Sequence, residues 1–200
     1  MQTRTIRTVI YCTISAIYTG VIIAALLPDL GGDLLYSILR ISGLIGYLSL
    51  SGAVIINLYR SNVKKYLGKP FLKIHHFFAF SGLFFITLHP MIFALQTADL
   101  SVFVPQTSSL YLFFAYGGRL SLILIYVAVF FALFQKRFSS QWKIIHRLMY
   151  PALILGVIHA NMLGATFEFV IIKTLFNAIA IIIFMTGFIL WIKRQIKRKK

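Results

Sequence analysis

Six apolar runs, each roughly 19–26 residues long and joined by short connections, constrain this chain more than any other feature. They lie at about Val9–Leu27, Leu35–Tyr59, Ile74–Leu95, Tyr111–Phe134, Ile144–Leu163 and Phe167–Ile192. A helix needs about 20 apolar residues to cross the hydrocarbon core of a bilayer. The chain has 200 residues, 60% of them hydrophobic and 12% charged, with a mean hydropathy of +0.88. A soluble domain could not cover that much apolar surface. No run alternates with the period of a transmembrane β-strand. The expected fold is all-α: one polytopic membrane domain over residues 1–200, a bundle of six transmembrane helices. The first run is too long for the core of a cleavable signal peptide and lacks a small-residue cleavage motif after it, so it is expected to stay as a span.

The net charge of +16 is confined to particular places. Arg4 and Arg7 precede the first run, and Arg60, Lys64, Lys65, Lys69 and Lys73 separate the second from the third. Lys136, Arg137, Lys143 and Arg147 fall around the junction of the fourth and fifth. Lys193, Arg194, Lys197, Arg198, Lys199 and Lys200 close the chain. In an alternating six-span topology these 17 of the 20 basic residues share one side, and the four acids (Asp29, Asp33, Asp99, Glu168) fall on the other. Basic loops stay in the cytoplasm. The expectation is a multi-pass protein of the plasma membrane with both termini cytoplasmic, whose partner is the lipid bilayer and not nucleic acid. The one cysteine, Cys12, lies inside a run, so no intrachain disulfide or CxxC site is available and packing is its expected role.

All five histidines sit in two of the runs: His75, His76 and His89 in KIHHFFAFSGLFFITLHPMIFAL, and His146 and His159 in WKIIHRLMYPALILGVIHANML. Ionisable groups at membrane depth are costly and mark function. His75 and His89 are 14 residues apart, about 21 Å along a helix and close to one face. His146 and His159 are 13 apart, about 19.5 Å and roughly 140° out of phase in an ideal helix. Pro151 between them can distort the helix and re-aim a ring. Two helices thus supply one pair of imidazoles near each membrane surface. Haem iron held between one histidine from each helix suits this pattern, because axial nitrogens and an apolar surround set its potential. A structural zinc site wants four converging ligands. A histidine proton relay would lack intramembrane carboxylate partners, as would a haem-free transporter or assembly protein with a polar path.

The H-x13-H spacing of the third run and the H-R-L-M-Y…H of the fifth resemble the ferric reductase-like transmembrane domain family. This superfamily takes in ferric reductases, NADPH oxidases and the haem subunit of the bacterial methionine sulfoxide reductase system. The likeness covers the six-run core. It implies a cytochrome b-type protein with two haems b, the inner one on His75 and His146 and the outer one on His89 and His159. His76 is the alternative inner ligand. Arg40, Arg119 and Arg147 then become candidates for the haem propionates, with interfacial anchoring as the alternative. Gly82 and Gly156 give either room for a porphyrin or close helix crossings. The many phenylalanines, Phe77, Phe78, Phe80, Phe84 and Phe85 among them, are expected to pack against lipid and haem.

Reductases and oxidases of that family continue into a flavin- and nicotinamide-binding domain. Here the sequence ends eight residues after the last run and holds no GxGxxG motif. The resemblance therefore implies an oxidoreductase component fed by a separate flavoprotein or by quinol. It would pass electrons to ferric iron, oxygen or an extracytoplasmic reductase, the last as a quinol-fed subunit.

Orientation is open to direct test. In a Cys12→Ser background, Lys69→Cys is expected to react with a membrane-impermeant maleimide only in permeabilised cells, and Gln106→Cys in intact ones. The reverse pattern would contradict cytoplasmic termini.

Overall fold

The computed structural model describes residues 2–27, 33–138 and 141–198, and within them every regular element is helical. Pro28, Asp29, Lys199 and Lys200 lie outside the described residues, as do the side chains of Lys193, Arg194, Lys197 and Arg198. The elements are α1 (Gln2–Leu26), α2 (Leu34–Leu58), α3 (Arg60–Leu67), α4 (Phe71–Thr97), α5 (Leu110–Ala115), α6 (Gly117–Leu133), α7 (Gln135–Phe138), α8 (Gln141–Ile145), α9 (Met149–Leu163) and α10 (Val170–Arg198). Four helices, α1, α2, α4 and α10, contain segments long and apolar enough to cross a membrane.

The fourth and fifth expected spans are not single helices. The fourth is divided at Tyr116, which ends α5 with φ −96° and ψ 19°. Gly117 and Gly118 follow it, and glycine is a poor helix former. The fifth is divided at His146–Leu148, which forms a turn of 3-10 helix. Pro151 has no N–H to return to the carbonyl of Arg147, four residues before it, so an α-helical turn cannot close there. The connection after the second run also holds structure: α3 is a short basic helix that buries Val63 and ends at Gly68 with φ +70°.

α2 is the centre of the bundle. Two-thirds of its apolar window (67%) is buried, against 11–17% for the other three long helices. Its residues are small where neighbours approach. A Cβ on Gly46 would come within 2.7 Å of the Ile86 backbone nitrogen, and one on Gly82 within 2.8 Å of the Leu50 backbone nitrogen. α4 and α2 therefore pack backbone against backbone, and Gly82 serves that crossing. α1 lies on the opposite side of α2, with the Tyr18 hydroxyl 2.9 Å from Ser49 Oγ. α10 closes the bundle through Phe176, which meets Tyr47 of α2 and Phe167 at ring separations of 5.4 Å. α9 packs against α6, where Ser121 Oγ donates to the Ala152 carbonyl at 2.8 Å.

The basic residues gather at one end. The Arg7 guanidinium of α1 lies against Gly68, and the Tyr11 hydroxyl donates to the Leu67 carbonyl. His75 and His146 meet at this end, which brings the His146–Leu148 turn beside the start of α4. At the opposite end Gln96 donates to the Asp33 carboxylate, joining the last turn of α4 to the first of α2.

The α2–α4 crossing fixes a prediction. Gly46→Val drives a side chain into backbone and should cost about 1–3 kcal/mol, as overpacking generally does. Gly20→Ala, where nothing lies within 4 Å, should be neutral. Thermal unfolding in detergent reads both, and equal melting temperatures for the two variants would contradict the packing described.

Candidate metal centre

Four of the five histidines make the same hydrogen bond. His75 Nδ1 lies 3.0 Å from the Ala53 carbonyl oxygen, and His89 Nδ1 2.8 Å from that of Leu39. His146 Nδ1 lies 3.1 Å from the Ala128 carbonyl, and His159 Nδ1 2.6 Å from that of Ala115. A carbonyl oxygen only accepts, so Nδ1 carries a proton in each case, and in the neutral ring Nε2 is then the nitrogen with the free lone pair. That is how metal-binding histidines are commonly held: one ring nitrogen donates to a carbonyl, which fixes the tautomer and raises the basicity of the other.

The partners keep register. Moving forward 14 residues along α4, from His75 to His89, moves back 14 along α2, from Ala53 to Leu39. Moving forward 13 from His146 to His159 moves back 13, from Ala128 to Ala115. Two antiparallel hairpins, α2 with α4 and α5–α6 with α8–α9, present their histidines in the same way. The phase mismatch of the second pair is eased by the 3-10 turn. At about 120° per residue instead of 100°, three residues add about 60° of rotation.

At the basic end the His75 and His146 ring centroids are 6.4 Å apart and their planes meet at 71°. A metal–imidazole bond is about 2.0–2.1 Å, and a ring centre lies about 1.1 Å behind its nitrogen. One metal between two imidazoles aimed at it separates the centroids by about 6.3 Å, a spacing that the observed 6.4 Å matches. At the acidic end His89 and His159 are close enough to interact electrostatically. Their rings rest against glycines. A Cβ on Gly43 would lie 2.9 Å from His89 Nδ1, and one on Gly118 would lie 2.8 Å from His159 Cδ2.

His76 differs from the other four. It is exposed, and its ring neighbours His75 at 5.8 Å and Phe80 at 6.2 Å. Arg119 lies near His159 and donates through Nη1 to the Ser101 and Val104 carbonyls, both at 2.9 Å, while stacking over Tyr116. Arg40 is buried, donates to the Ala25 carbonyl of α1 and sits over Tyr36. It adjoins Leu39, whose carbonyl holds His89. Arg147 is exposed at the basic end beside His146. Phe77, Phe80 and Phe84 are 57–66% exposed on α4, so they project from the bundle, whereas Phe78 packs over Gly52.

Among the described residues no three His, Cys, Asp or Glu side chains converge as a closed zinc site requires. What the chain offers is paired imidazoles. The backbone acceptors and the glycines Gly43 and Gly118 escape a reading of the histidines alone. Their only trace in the sequence is small side chains, Ala53, Ala115 and Ala128, at three of the four acceptor positions.

No family model, curated protein or solved structure matches this chain.

The turn that packs on Arg119 titrates in a defined way. Asp99 accepts from the Ser101 hydroxyl at 2.6 Å and its amide at 2.8 Å. Those bonds to Ser101, with Arg119 nearby, hold its carboxyl below the ordinary value of 3.8. A depressed carboxylate contributes above its unfolded pKa and loses that contribution as pH falls through the lower folded value. The Ser101 amide resonance should therefore titrate with a midpoint below 3.8, and Asp99→Asn should abolish that titration. A midpoint at or above 3.8 would contradict the geometry.

Proposed function

We propose that this chain is a di-haem b electron-transfer protein of the plasma membrane. In this reading the six apolar segments all span, with the divided α5–α6 and α8–α9 segments each crossing as one unit and both termini in the cytoplasm. One observation carries the proposal: four histidines, on two helices and at two depths, are each tied through Nδ1 to a backbone carbonyl in matching register. Isolated histidines kept for packing have no reason to share a tautomer, a partner type and a register.

The residues suit haem b. His75 and His146 would hold the inner group and His89 and His159 the outer. Bound there, haem would supply reversible one-electron chemistry. The rest falls to the protein. The carbonyls of Ala53, Leu39, Ala128 and Ala115 fix the rings and select the neutral tautomer in which Nε2 is the lone-pair nitrogen. Gly43 and Gly118 keep side-chain bulk away from the outer rings. Arg119, Arg40 and Arg147 offer positive charge near the two levels, suited to carboxylate groups at the rim of a porphyrin. In this reading reducing equivalents come from a separate flavoprotein or from quinol. The acceptor would lie on the outer side, as ferric iron or an extracytoplasmic reductase.

Purified protein should show a low-spin b-type reduced-minus-oxidised spectrum with about two haems per chain. His75→Ala and His89→Ala should each lose about one, while His76→Ala should keep both. A colourless protein from haem-supplemented cells would overturn the proposal, and haem loss in His76→Ala with retention in His75→Ala would reassign the inner ligand.

A further inference from the structure

Asn161 of α9 and Asn177 of α10 exchange two hydrogen bonds, each Nδ2 donating to the other's Oδ1 at 3.0 Å. The second proton of each amide goes to its own helix. Asn161 donates to the Val157 carbonyl at 2.7 Å, and Asn177 to that of Lys173 at 2.8 Å. All four amide N–H groups are used, in a closed pair set between apolar helices. Between membrane helices such side-chain bonds add little net stability, because the same groups find partners when the helices separate. Their effect is on geometry. Two planar amides that must meet edge to edge admit one rotation and one register, as a buried asparagine does in a coiled coil.

The amide pair lies just beyond His159. Two residues turn a helix by about 200°, so with Asn161 against α10, His159 points nearly the opposite way. There its Nδ1 meets the Ala115 carbonyl at 2.6 Å and its ring rests against Gly118. α9 needs a hold of this kind. It is 15 residues long and follows the 3-10 turn at His146–Leu148, so its rotation is not carried over from α8. α4, in contrast, runs unbroken through His75 and His89 for 27 residues, and Gly46 and Gly82 seat it backbone to backbone on α2. A ring nitrogen stands about 7 Å from its helix axis, so a rotation of about 10° moves it by about 1.2 Å. A working ligand set must be held within about 0.5 Å. The far side of the pair is itself fixed, since Phe176, next to Asn177, is buried against Tyr47 of α2. We infer that Asn161 and Asn177 are positioning residues for the outer ligand: their exchange sets the rotation of α9 that turns His159 toward His89. The inference rests on the proposed function for the group that His159 would hold. The inner pair is set otherwise, because His146 precedes α9 and is held by the Ala128 carbonyl.

The test compares the full chain in nanodiscs with Asn161→Leu/Asn177→Leu, which replaces both amides by apolar groups of similar size. Asn177→Ser, a small polar residue that membrane helices accept at crossings, carries the test if the double variant does not fold. One readout is the rate at which haem passes to excess apomyoglobin, with the outer group isolated in a His75→Ala background and the inner in His89→Ala. The other is the nitrogen-15 and proton resonances of the histidine Nδ1–H groups in reduced protein. In either variant the outer haem should leave about tenfold faster, the low end for losing a residue that orients a metal ligand, and the inner haem at an unchanged rate. The His159 Nδ1–H resonance should shift and exchange faster with water, while those of His75 and His146 stay in place. Outer-haem release and a His159 resonance equal to those of the unmodified protein would overturn the inference. So would equal acceleration at both levels, because the amides would then be a general brace of the bundle. The haem content of the unmodified protein reports separately on the proposed function. With no haem bound that function fails, and the His159 resonance then decides for or against the amide pair.

Discussion

A protonated Nδ1 held by a carbonyl of the neighbouring helix is the interaction on which the account depends. Each of these four bonds settles three things at once. It satisfies a polar ring that would otherwise lie half-buried without a partner, it selects the tautomer, and it locks two antiparallel helices in register. An imidazole in apolar surroundings is costly when unpaired. The cost is offset here without carboxylates, by carbonyls that already serve the helix ladder and have a second lone pair to share. The arrangement asks nothing of the acceptor's side chain. Three of the four acceptors are alanines, and small side chains let the ring come close.

The rest of the bundle holds those bonds in place. α2 carries the load: it is buried on most of its surface, it supplies two of the four carbonyls, and its Gly46 admits the α4 backbone. Tyr18 of α1, through Ser49, and Phe176 of α10, through its ring contact with Tyr47, brace it. The exposed side of α4, with Phe77, Phe80 and Phe84, is left for lipid or cofactor. Between the hairpins the Thr87 hydroxyl lies 2.7 Å from the Tyr126 hydroxyl, so α4 and α6 are also joined between the two histidine levels. Stability and function are thus drawn from different faces of the same helices.

Much of this was legible in the residues. The all-helical character was legible in the apolar runs, of which α1, α2, α4 and α10 are long single helices, and the 14-residue spacing put His75 and His89 close to one face, which the structure turns toward α2. Pro151 was visible as a weak point though its consequence was not, and the break at Gly117–Gly118 was not anticipated. Whether a glycine pair divides a helix depends on what the neighbouring helix places beside it, and here that is the His159 ring against Gly118. The 3-10 turn at His146–Leu148 likewise brings His146 toward Ala128 only because α6 offers the carbonyl. Backbone acceptors leave no side-chain signature, so the choice of His75 over its neighbour could not be read locally. α3 escaped because an eight-residue basic helix lacks a long apolar face.

The most direct test of the central claim is nitrogen-15 NMR of protein labelled at histidine, kept reduced so that any low-spin iron is diamagnetic. The account predicts that His75, His89, His146 and His159 carry their proton on Nδ1 and not on Nε2. Protons on Nε2 and bare Nδ1 at these four positions would contradict it.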